Sequence, residues 1–327
     1  MVLTKKRVAV LTTILTLVYF ISLFFLPESI VGARHENILL FAPKLMFLAI
    51  TAAITTAIIL ILVFRRKFIS GQLFAFRRYK YYLGLIVKRD FVARYRKSTL
   101  GVLWSLLNPL LSMLVLSFVF TTLFRRFDIE YFHVYILSGL LIYNFFNEST
   151  MLAMSSVIDN EAIIKKIYVP KYIFPLSKVI SSLVNMLFAF IAFLLVFIVS
   201  GAPFKWTMLL LPIPVIYVFF FALGVSMFMS SLAVFFRDIR HLYGVLLSLW
   251  MFLTPVMYPV EIIPEVAMPF YGLNPLFHFL DYFRALSLGG IVPDLWSNMV
   301  CIGFALASVC IGVYVFMSKQ DRYILYL

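Results

Sequence analysis

Charged residues are scarce in this chain: only 13% of its 327 residues are Asp, Glu, Lys or Arg, whereas 64% are hydrophobic. Soluble domains are typically about 25% charged and about 45–50% apolar. A globule of this size cannot hide so much apolar surface, so a large part of that surface must face lipid. The composition therefore excludes an ordinary soluble domain and predicts an integral membrane protein.

Cysteine is limited to Cys301 and Cys310, which lie on one apolar stretch at a spacing that points them to roughly opposite helix faces. That arrangement excludes a shared disulfide or a metal pair. The chain also lacks the G-x-x-x-x-G-K-[ST] loop that holds nucleotide phosphates, any His–Cys metal spacing and any Ser–His–Asp arrangement. We therefore predict that the chain is not an enzyme and binds no metal or cofactor itself.

Acidic residues number 14 against 28 basic ones, so the formal net charge is +14. When both termini are placed in the cytoplasm, most of the basic residues fall in cytoplasmic segments, as the positive-inside rule requires. A positive charge distributed in this way reflects topology. The sequence therefore predicts a multi-pass protein with both termini in the cytoplasm, in contact with membrane lipids and without a nucleic-acid partner.

Long apolar runs predict about eight transmembrane helices, since a span needs about 20 apolar residues and an open sheet would leave backbone groups unpaired in lipid. The first run lacks a small-residue cleavage site, so we expect a retained helix and not a signal peptide. The predicted spans are 8–26, 44–64, 99–124, 134–157, 173–199, 207–235, 241–258 and 295–317.

Two domains follow from this division. The first two spans predict an N-terminal transmembrane hairpin, residues 1–68, and the second domain comprises residues 69–327. The second domain opens with a basic region, residues 69–97, that contains interleaved Tyr and Phe. Its basic residues do not fall on one helical face, so one interfacial helix and two shorter helices broken near Gly84 remain open.

The most specific segment begins at Asp90 and reads DFVARYRKSTLGVLWSLLNPLLSMLVLSFVFTTLFRRF. Its basic cluster suits the lipid headgroup level, Ser98 or Thr99 can cap the following helix, and Pro109 interrupts the backbone ladder about one turn deeper. As an ordered string it resembles the first core span of ABC-type polysaccharide export permeases, the membrane subunits for O-antigen, capsule and teichoic acid. The resemblance covers about residues 75–327 and continues through 163–185, 233–265 and 273–290.

The resemblance implies an all-α fold with a six-helix permease core, preceded here by the additional hairpin, and short re-entrant gate helices in the external segment 259–290. It also implies a homodimer around a channel that exports polyprenyl-diphosphate-linked polysaccharide, such as O-antigen, across the bacterial cytoplasmic (inner) membrane. ATP and Mg²⁺ would bind to two copies of a separate ATPase subunit.

The loop 158–172 is the first candidate site. Asp159 or Asn160 can cap a helix of one to two turns, and Pro170 can end it. In the family the corresponding loop is a coupling helix that sits in a cleft of the ATPase; a solvated charged loop is the alternative. The docking residues implied by the resemblance are Asn160, Glu161, Lys165, Lys166 and Tyr168.

The basic region supplies the second candidate site. Arginine forks match phosphate oxygens, so we predict that Arg94, Arg96 and Lys97 recognise the diphosphate of the carrier lipid. Binding to ordinary anionic headgroups, at about 1 kcal/mol per cation, is an equally open interpretation.

Glu148 is the only carboxylate deep in a predicted span. Charge at that depth costs about 2.5–3.5 kcal/mol, so the side chain should face protein or water, in a structural hydrogen bond or a channel role.

Aromatic rings of the external segment can contact sugar faces or anchor the membrane interface. The predicted channel and gate residues are Tyr143, Asn144, Glu148, Trp250, Tyr258, Tyr271, Phe277, Tyr282 and Phe283.

Two other classes of function remain open. A membrane-embedded glycan transferase using a polyprenyl-phosphate donor would need carboxylates near the first external loop, where Glu28 and Glu36 lie without a partner base or metal motif. A scaffold without a transport role would need no ATPase subunit.

Overall fold

The computed structural model describes residues 66–96, 98–120, 129–167 and 169–327, with side chains from Tyr79 onward. The predicted spans 8–26 and 44–64 lie outside these residues, as do the predicted site residues Lys97 and Tyr168. The chain divides into two units between Lys80 and Tyr81, and the bundle described below belongs to the second unit.

Within the described residues the fold is all-helical, without strands, as the sequence predicts. The α-helices are α1 (Arg66–Tyr95), α2 (Leu103–Phe118), α3 (Phe132–Asp159), α4 (Glu161–Lys166), α5 (Ile173–Val199), α6 (Pro212–Phe235), α7 (Ile239–Phe252), α8 (Met268–Gly272), α9 (Pro275–Arg284), α10 (Leu295–Lys319) and α11 (Tyr323–Tyr326). Short 3₁₀ turns cover Trp206–Leu210, Val260–Ile262, Glu265–Ala267 and Gln320–Arg322, and a π-helical turn covers Ala285–Gly289.

Three helical segments in this part of the chain are long and apolar enough to cross a membrane: Ile173–Val199, Trp206–Phe235 and Leu295–Tyr326. They match the predicted spans 173–199, 207–235 and 295–317. Less than half of the most apolar window of each segment is buried, and large apolar side chains such as Ile198 of α5 point outward. This exposure is what a lipid-facing helix requires.

Helix α3 is the central element of the bundle and packs against α2, α5 and α6. Most of its side chains are buried, in contrast to those of α5 and α10. Its 28 residues extend over roughly 42 Å at 1.5 Å per residue, and they cover the predicted span 134–157.

Helix α7 is shorter than predicted, because it ends at Phe252 and not at residue 258. Thr254 precedes Pro255, and a residue before proline is disfavoured in the helical conformation. The backbone instead makes a tight turn in which the Val256 N–H donates to the Thr254 carbonyl at 2.6 Å. This turn directs the chain toward the segment that contains α8 and α9.

Small residues bring α6 and α10 into close contact. A Cβ on Gly224 would lie 2.2 Å from the Ser308 carbonyl carbon, and one on Gly312 would lie 2.0 Å from the Gly224 carbonyl oxygen. The Ser308 hydroxyl also donates to the Phe221 carbonyl at 2.8 Å. Backbone approach at small residues, with a hydroxyl bond across the interface, is a common way for helices to associate in lipid.

The basic region forms one helix, so the alternative of two helices broken near Gly84 is wrong. Helix α1 runs without interruption for 30 residues, through Gly84, where an added Cβ would meet no atom of another element within 4 Å. Just after α1, the Ser98 hydroxyl accepts a hydrogen bond from the Gly101 N–H at 3.1 Å. Ser98 therefore caps the turn before α2, whereas α2 itself begins at Leu103 without a side-chain cap.

The segment predicted to hold re-entrant helices contains short helices of two kinds. The apolar stretch 275–288 corresponds to α9 and the π-helical turn that follows it. The stretch 262–270 is divided into a 3₁₀ turn and the five-residue α8, with Pro264 and Pro269 at their starts. Proline fixes its own backbone angle and removes a donor, which favours such short pieces.

Candidate functional site

The most polar part of the bundle lies where the end of α1 meets α2, α3 and α5. Arg94 forms an ion pair with Glu148, and Asn185 Nδ2 donates to the other oxygen of that carboxylate at 2.8 Å. The Tyr95 hydroxyl donates to Asn185 Oδ1 at 2.8 Å and also contacts the Ser105 hydroxyl. We call these contacts the Arg94–Glu148 junction. Of the two surroundings predicted for Glu148, protein or water, the carboxylate contacts protein here, and its channel role stays a prediction.

A cavity of about 280 Å³ lies beside the junction, between α2, α3 and α5. We call it the polar cavity, because amides and hydroxyls from all three helices line it. The Ser182 hydroxyl is fully buried there and has no partner within the described part of the chain. The polar lining consists of Ser105, Asn108, Ser112, Asn144, Asn147, Glu148, Ser182 and Asn185.

A second cavity, of about 600 Å³, opens beside the end of α1 and is lined by Arg89, Arg94, Arg96 and apolar neighbours, with Ser98. We call it the basic cavity. Arg96 is exposed and makes no ion pair with the residues that the structure describes. Two of the three predicted headgroup residues, Arg94 and Arg96, therefore share one cavity, and the third, Lys97, lies outside the described residues.

Another ion pair attaches α1 to the bundle, and sequence reasoning missed it. Lys178 of α5 lies 2.6 Å from one Asp90 oxygen, and Arg89 lies 3.0 Å from the other. Asp90 is one turn before Arg94, so α1 contacts the bundle through two successive charges on one face. The available signal was Lys178 and Asn185, which lie two turns apart on a largely apolar helix.

Helix α4 confirms the predicted short helix after α3, but its predicted ends are only partly correct. Asn160 occupies the position before the helix without capping it; its amide donates back to the Ser156 carbonyl at 2.7 Å, and its side chain is buried. The helix ends at Lys166, because Ile167 is already extended, well before Pro170.

The predicted docking residues on α4 differ in exposure. Glu161 and Lys165 form an i,i+4 ion pair at 2.5 Å on its surface, and Lys166 is exposed. Ile164 is buried and anchors the opposite face. The α4 helix therefore presents charges outward from a firmly attached base, whereas Asn160 faces inward.

Arg284, which sequence reasoning also missed, lies at the other end of α3 and is buried. Its Nη1 donates to the Pro255 carbonyl at 2.7 Å, and Nη2 donates to the carbonyls of Val256 at 2.9 Å and Tyr135 at 3.1 Å. Nε donates to the Ser138 hydroxyl at 3.2 Å, and the guanidinium lies 3.4 Å from the Tyr135 ring centroid. Arg284 thus fastens the turn after α7 to α3 and α9.

Three of the predicted channel and gate residues are buried inside the single chain. The Tyr143 hydroxyl donates to the Leu247 carbonyl, and the Tyr282 hydroxyl donates to Asn298 Oδ1 at 2.8 Å. Phe283 is fully buried. These rings pack between helices of the single chain, and their role at the channel stays a prediction.

The other predicted aromatic residues group around the turn between α7 and α9. The hydroxyls of Tyr258 and Tyr271 lie 3.0 Å apart, and the Tyr271 and Phe277 rings meet edge to face at 6.1 Å. Trp250 Nε1 donates to Asn274 Oδ1 at 2.8 Å. All four aromatic side chains are partly exposed, so they form one aromatic surface at this end of the bundle.

The region that carries this geometry is similar to known membrane transporters. The ABC-2 type transporter family matches residues 81–288. An O-antigen export system permease protein RfbA from Myxococcus xanthus is 29% identical over 248 residues, covering 75% of this chain and 95% of the relative. A protein of the same name from Klebsiella pneumoniae is 31% identical and covers 74% of this chain and 93% of its own length.

A more distant relative is the polysialic acid transport protein KpsM from Escherichia coli, which is 23% identical over 240 residues and covers 71% of this chain and 91% of its own. All these matches involve the bundle that carries both cavities and α4. The chain therefore belongs to the ABC-2 type transporter family of membrane proteins.

Proposed function

We propose that this chain forms, as a homodimer, the channel of an ATP-driven exporter of polyprenyl-diphosphate-linked, O-antigen-like polysaccharide across the bacterial cytoplasmic membrane. The observation that carries the proposal is the match to permeases named for O-antigen export, which extends over nearly the whole length of those relatives. Both termini lie in the cytoplasm, and ATP with Mg²⁺ binds to two copies of a partner ATPase.

The basic cavity is the proposed entrance for the lipid-linked headgroup. Arg94 and Arg96 line it, and Lys97 follows directly in the sequence. Their cations complement a diphosphate, and anionic membrane lipids compete for the same charges. The adjoining polar cavity offers amide and hydroxyl groups that suit the hydroxyls of a sugar.

Helix α4 is the proposed docking element for the ATPase, through Glu161, Lys165, Lys166 and the neighbouring Tyr168. Its base is fixed by buried Ile164 and by the hydrogen bond from Asn160 to Ser156 of α3. A displacement of α4 is therefore transmitted to α3, which also carries Glu148. This connection links ATPase movement to the junction beside the two cavities.

The aromatic surface formed by Trp250, Tyr258, Tyr271 and Phe277 is the proposed gate at the outer end of the channel. Aromatic faces contact the apolar faces of sugars without strong directional bonds. A polymer can thus slide past them.

Charge reversal on α4 tests the coupling. We expect the double variant Glu161→Lys with Lys166→Glu to reduce co-purifying ATPase by more than about tenfold, because reversed charges repel a complementary surface. Export of polymer should fail while the amount of chain in the membrane stays normal. The measurement is pull-down of the ATPase together with polymer staining of whole cells.

The control is Glu265→Lys, which makes one of the two charge reversals on a short exposed turn at the other end of the bundle. It should leave ATPase binding intact. Normal export by the double variant would contradict the assignment of α4. Transferase activity of the purified chain alone, or export without any ATPase, would contradict the proposed function as a whole.

A further inference from the structure

Arg94 connects the two cavities through its ion pair with Glu148. Its side chain lines the basic cavity, while its Nη1 pairs with Glu148, which lines the polar cavity. The side chains of Arg94 and Glu148 are 33% and 26% exposed. Arg94 is open toward the basic cavity, whereas the Glu148 oxygen that it holds is buried, so a competing anion would approach from the Arg94 side. An ion pair with this degree of exposure is weak enough for another anion to replace.

A phosphate group entering the basic cavity competes for the same cation. The guanidinium is a planar fork that matches either a carboxylate or two phosphate oxygens, and phosphate brings more negative charge than one carboxylate. Glu148 therefore occupies, in the structure as it stands, part of the donor surface that an entering phosphate needs.

We propose that Glu148 is a built-in competitor for Arg94, so that binding of a phosphate or diphosphate in the basic cavity breaks the Arg94–Glu148 pair and releases the end of α1 from α3. This inference rests on the phosphate-binding role proposed above for the basic cavity. It adds a means by which an arriving headgroup is sensed inside the bundle.

The surroundings of Glu148 accommodate its release. Asn185 already donates to the oxygen that Arg94 does not hold. Ser182, whose hydroxyl has no partner among the described residues, lines the same cavity. Helix α1 stays attached one turn earlier, through Asp90 and Lys178. The released part is therefore confined to the last turn of α1 and the segment that leads into α2.

The test measures binding of farnesyl diphosphate to the full-length chain in lipid nanodiscs by calorimetry. Glu148→Gln should tighten binding about fivefold, because the competing carboxylate is gone. Asp159→Asn is the matched control: it removes one charge from the same helix, at a side chain that bonds to Ser155 and not to Arg94. It should leave the Kd within about twofold.

Combining Glu148→Gln with Arg94→Gln should give no tightening relative to Arg94→Gln alone, because the competition requires Arg94. Inorganic pyrophosphate is titrated in parallel. Tightening with both probes identifies the phosphate group itself as the competitor, and tightening with farnesyl diphosphate alone assigns the competition to a lipid headgroup.

Two results separate failure of this inference from failure of the proposed function. If Arg96→Gln does not weaken binding of farnesyl diphosphate, the basic cavity is not the phosphate site, and both the proposed headgroup entrance and the competition are overturned. If Arg96→Gln weakens binding but Glu148→Gln does not tighten it, only the competition is overturned.

Hydrogen exchange on the unmodified chain keeps the test independent of variant folding. Saturating farnesyl diphosphate should speed amide exchange at residues 91–96, because the last turn of α1 loses an anchor. Unchanged or slower exchange there would overturn the release of α1.

Discussion

Two arginines hold the same helix in different ways. Arg94 contacts α3 at Glu148 and Arg284 contacts it at Tyr135, roughly 20 Å apart along the axis at 1.5 Å per residue. Arg284 is buried and donates only to neutral oxygens of the chain. Arg94 is one-third exposed and pairs with a carboxylate.

The difference separates a fixed contact from an exchangeable one. Backbone carbonyls around Arg284 cannot leave without unfolding the turn after α7, and a buried acceptor left unbonded costs about 1–3 kcal/mol. The partner of Arg94 is a single side chain, and Arg94 itself is one-third exposed and lines the basic cavity. The contact at Arg284 is thus a fixed one, whereas the contact at Arg94 is the one that we propose changes partners.

The largest expected effect comes from Arg284→Lys. A lysine ammonium cannot reach four acceptors arranged around a planar guanidinium, so we expect a loss of about 3–5 kcal/mol in the free energy of unfolding. Thermal unfolding in detergent measures this loss. Arg89→Lys, at an exposed arginine of α1, is the control and should stay near wild type. An Arg284→Lys protein as stable as wild type would remove the basis for calling this contact fixed.

Gly224→Ala tests whether fixed packing extends to the pair of α6 and α10. The new Cβ would lie 2.2 Å from the Ser308 backbone, so the helices must separate, at a cost of about 1–3 kcal/mol. Gly84→Ala makes the same change where no atom lies within 4 Å, and it should stabilise by up to about 1 kcal/mol through helix propensity. Equal effects at the two glycines would show that close approach does not stabilise this interface.

The sequence predicted the fold well where the pattern is long and apolar. The spans at 173–199, 207–235 and 295–317 correspond to long apolar helices, because uninterrupted apolar runs have no other stable form in lipid. The end of α7 was missed by six residues, since the proline effect at Thr254 was outweighed by the apolar count.

The candidate site was only partly predictable. Glu148 stood out as a lone carboxylate in an apolar run, and Arg94 as part of a basic cluster, but their pairing joins residues more than fifty positions apart. Arg284 gave no signal, because an arginine at the end of a short helix usually faces water. Its burial depends on carbonyls freed by the turn after α7, which no periodicity reveals.

Arg94→Lys is the direct counterpart of Arg284→Lys and should have a much smaller effect on stability. An ion pair of this exposure contributes about 0–1 kcal/mol, and lysine retains the charge. We expect the midpoint of thermal unfolding to shift by no more than a few degrees. A loss as large as that of Arg284→Lys would mean that the Arg94–Glu148 junction is a fixed contact as well.

The smallest expected effect is a pH dependence at Lys171, in the loop between α4 and α5. Burial lowers the pKa of Lys171, against an opposing pull from Asp321, while its ammonium donates to the Gln320 carbonyl. Because the folded pKa lies below the ordinary value of about 10.4, the unfolded chain binds more protons between the two values. The free energy of unfolding should therefore rise with pH through that window. Below the window, this group should add no pH dependence. Lys171→Met should abolish the rise in thermal unfolding measured at increasing pH, whereas Lys88→Met, at an exposed lysine of α1, should retain it. A rise that persists in Lys171→Met would show that another group causes the pH dependence.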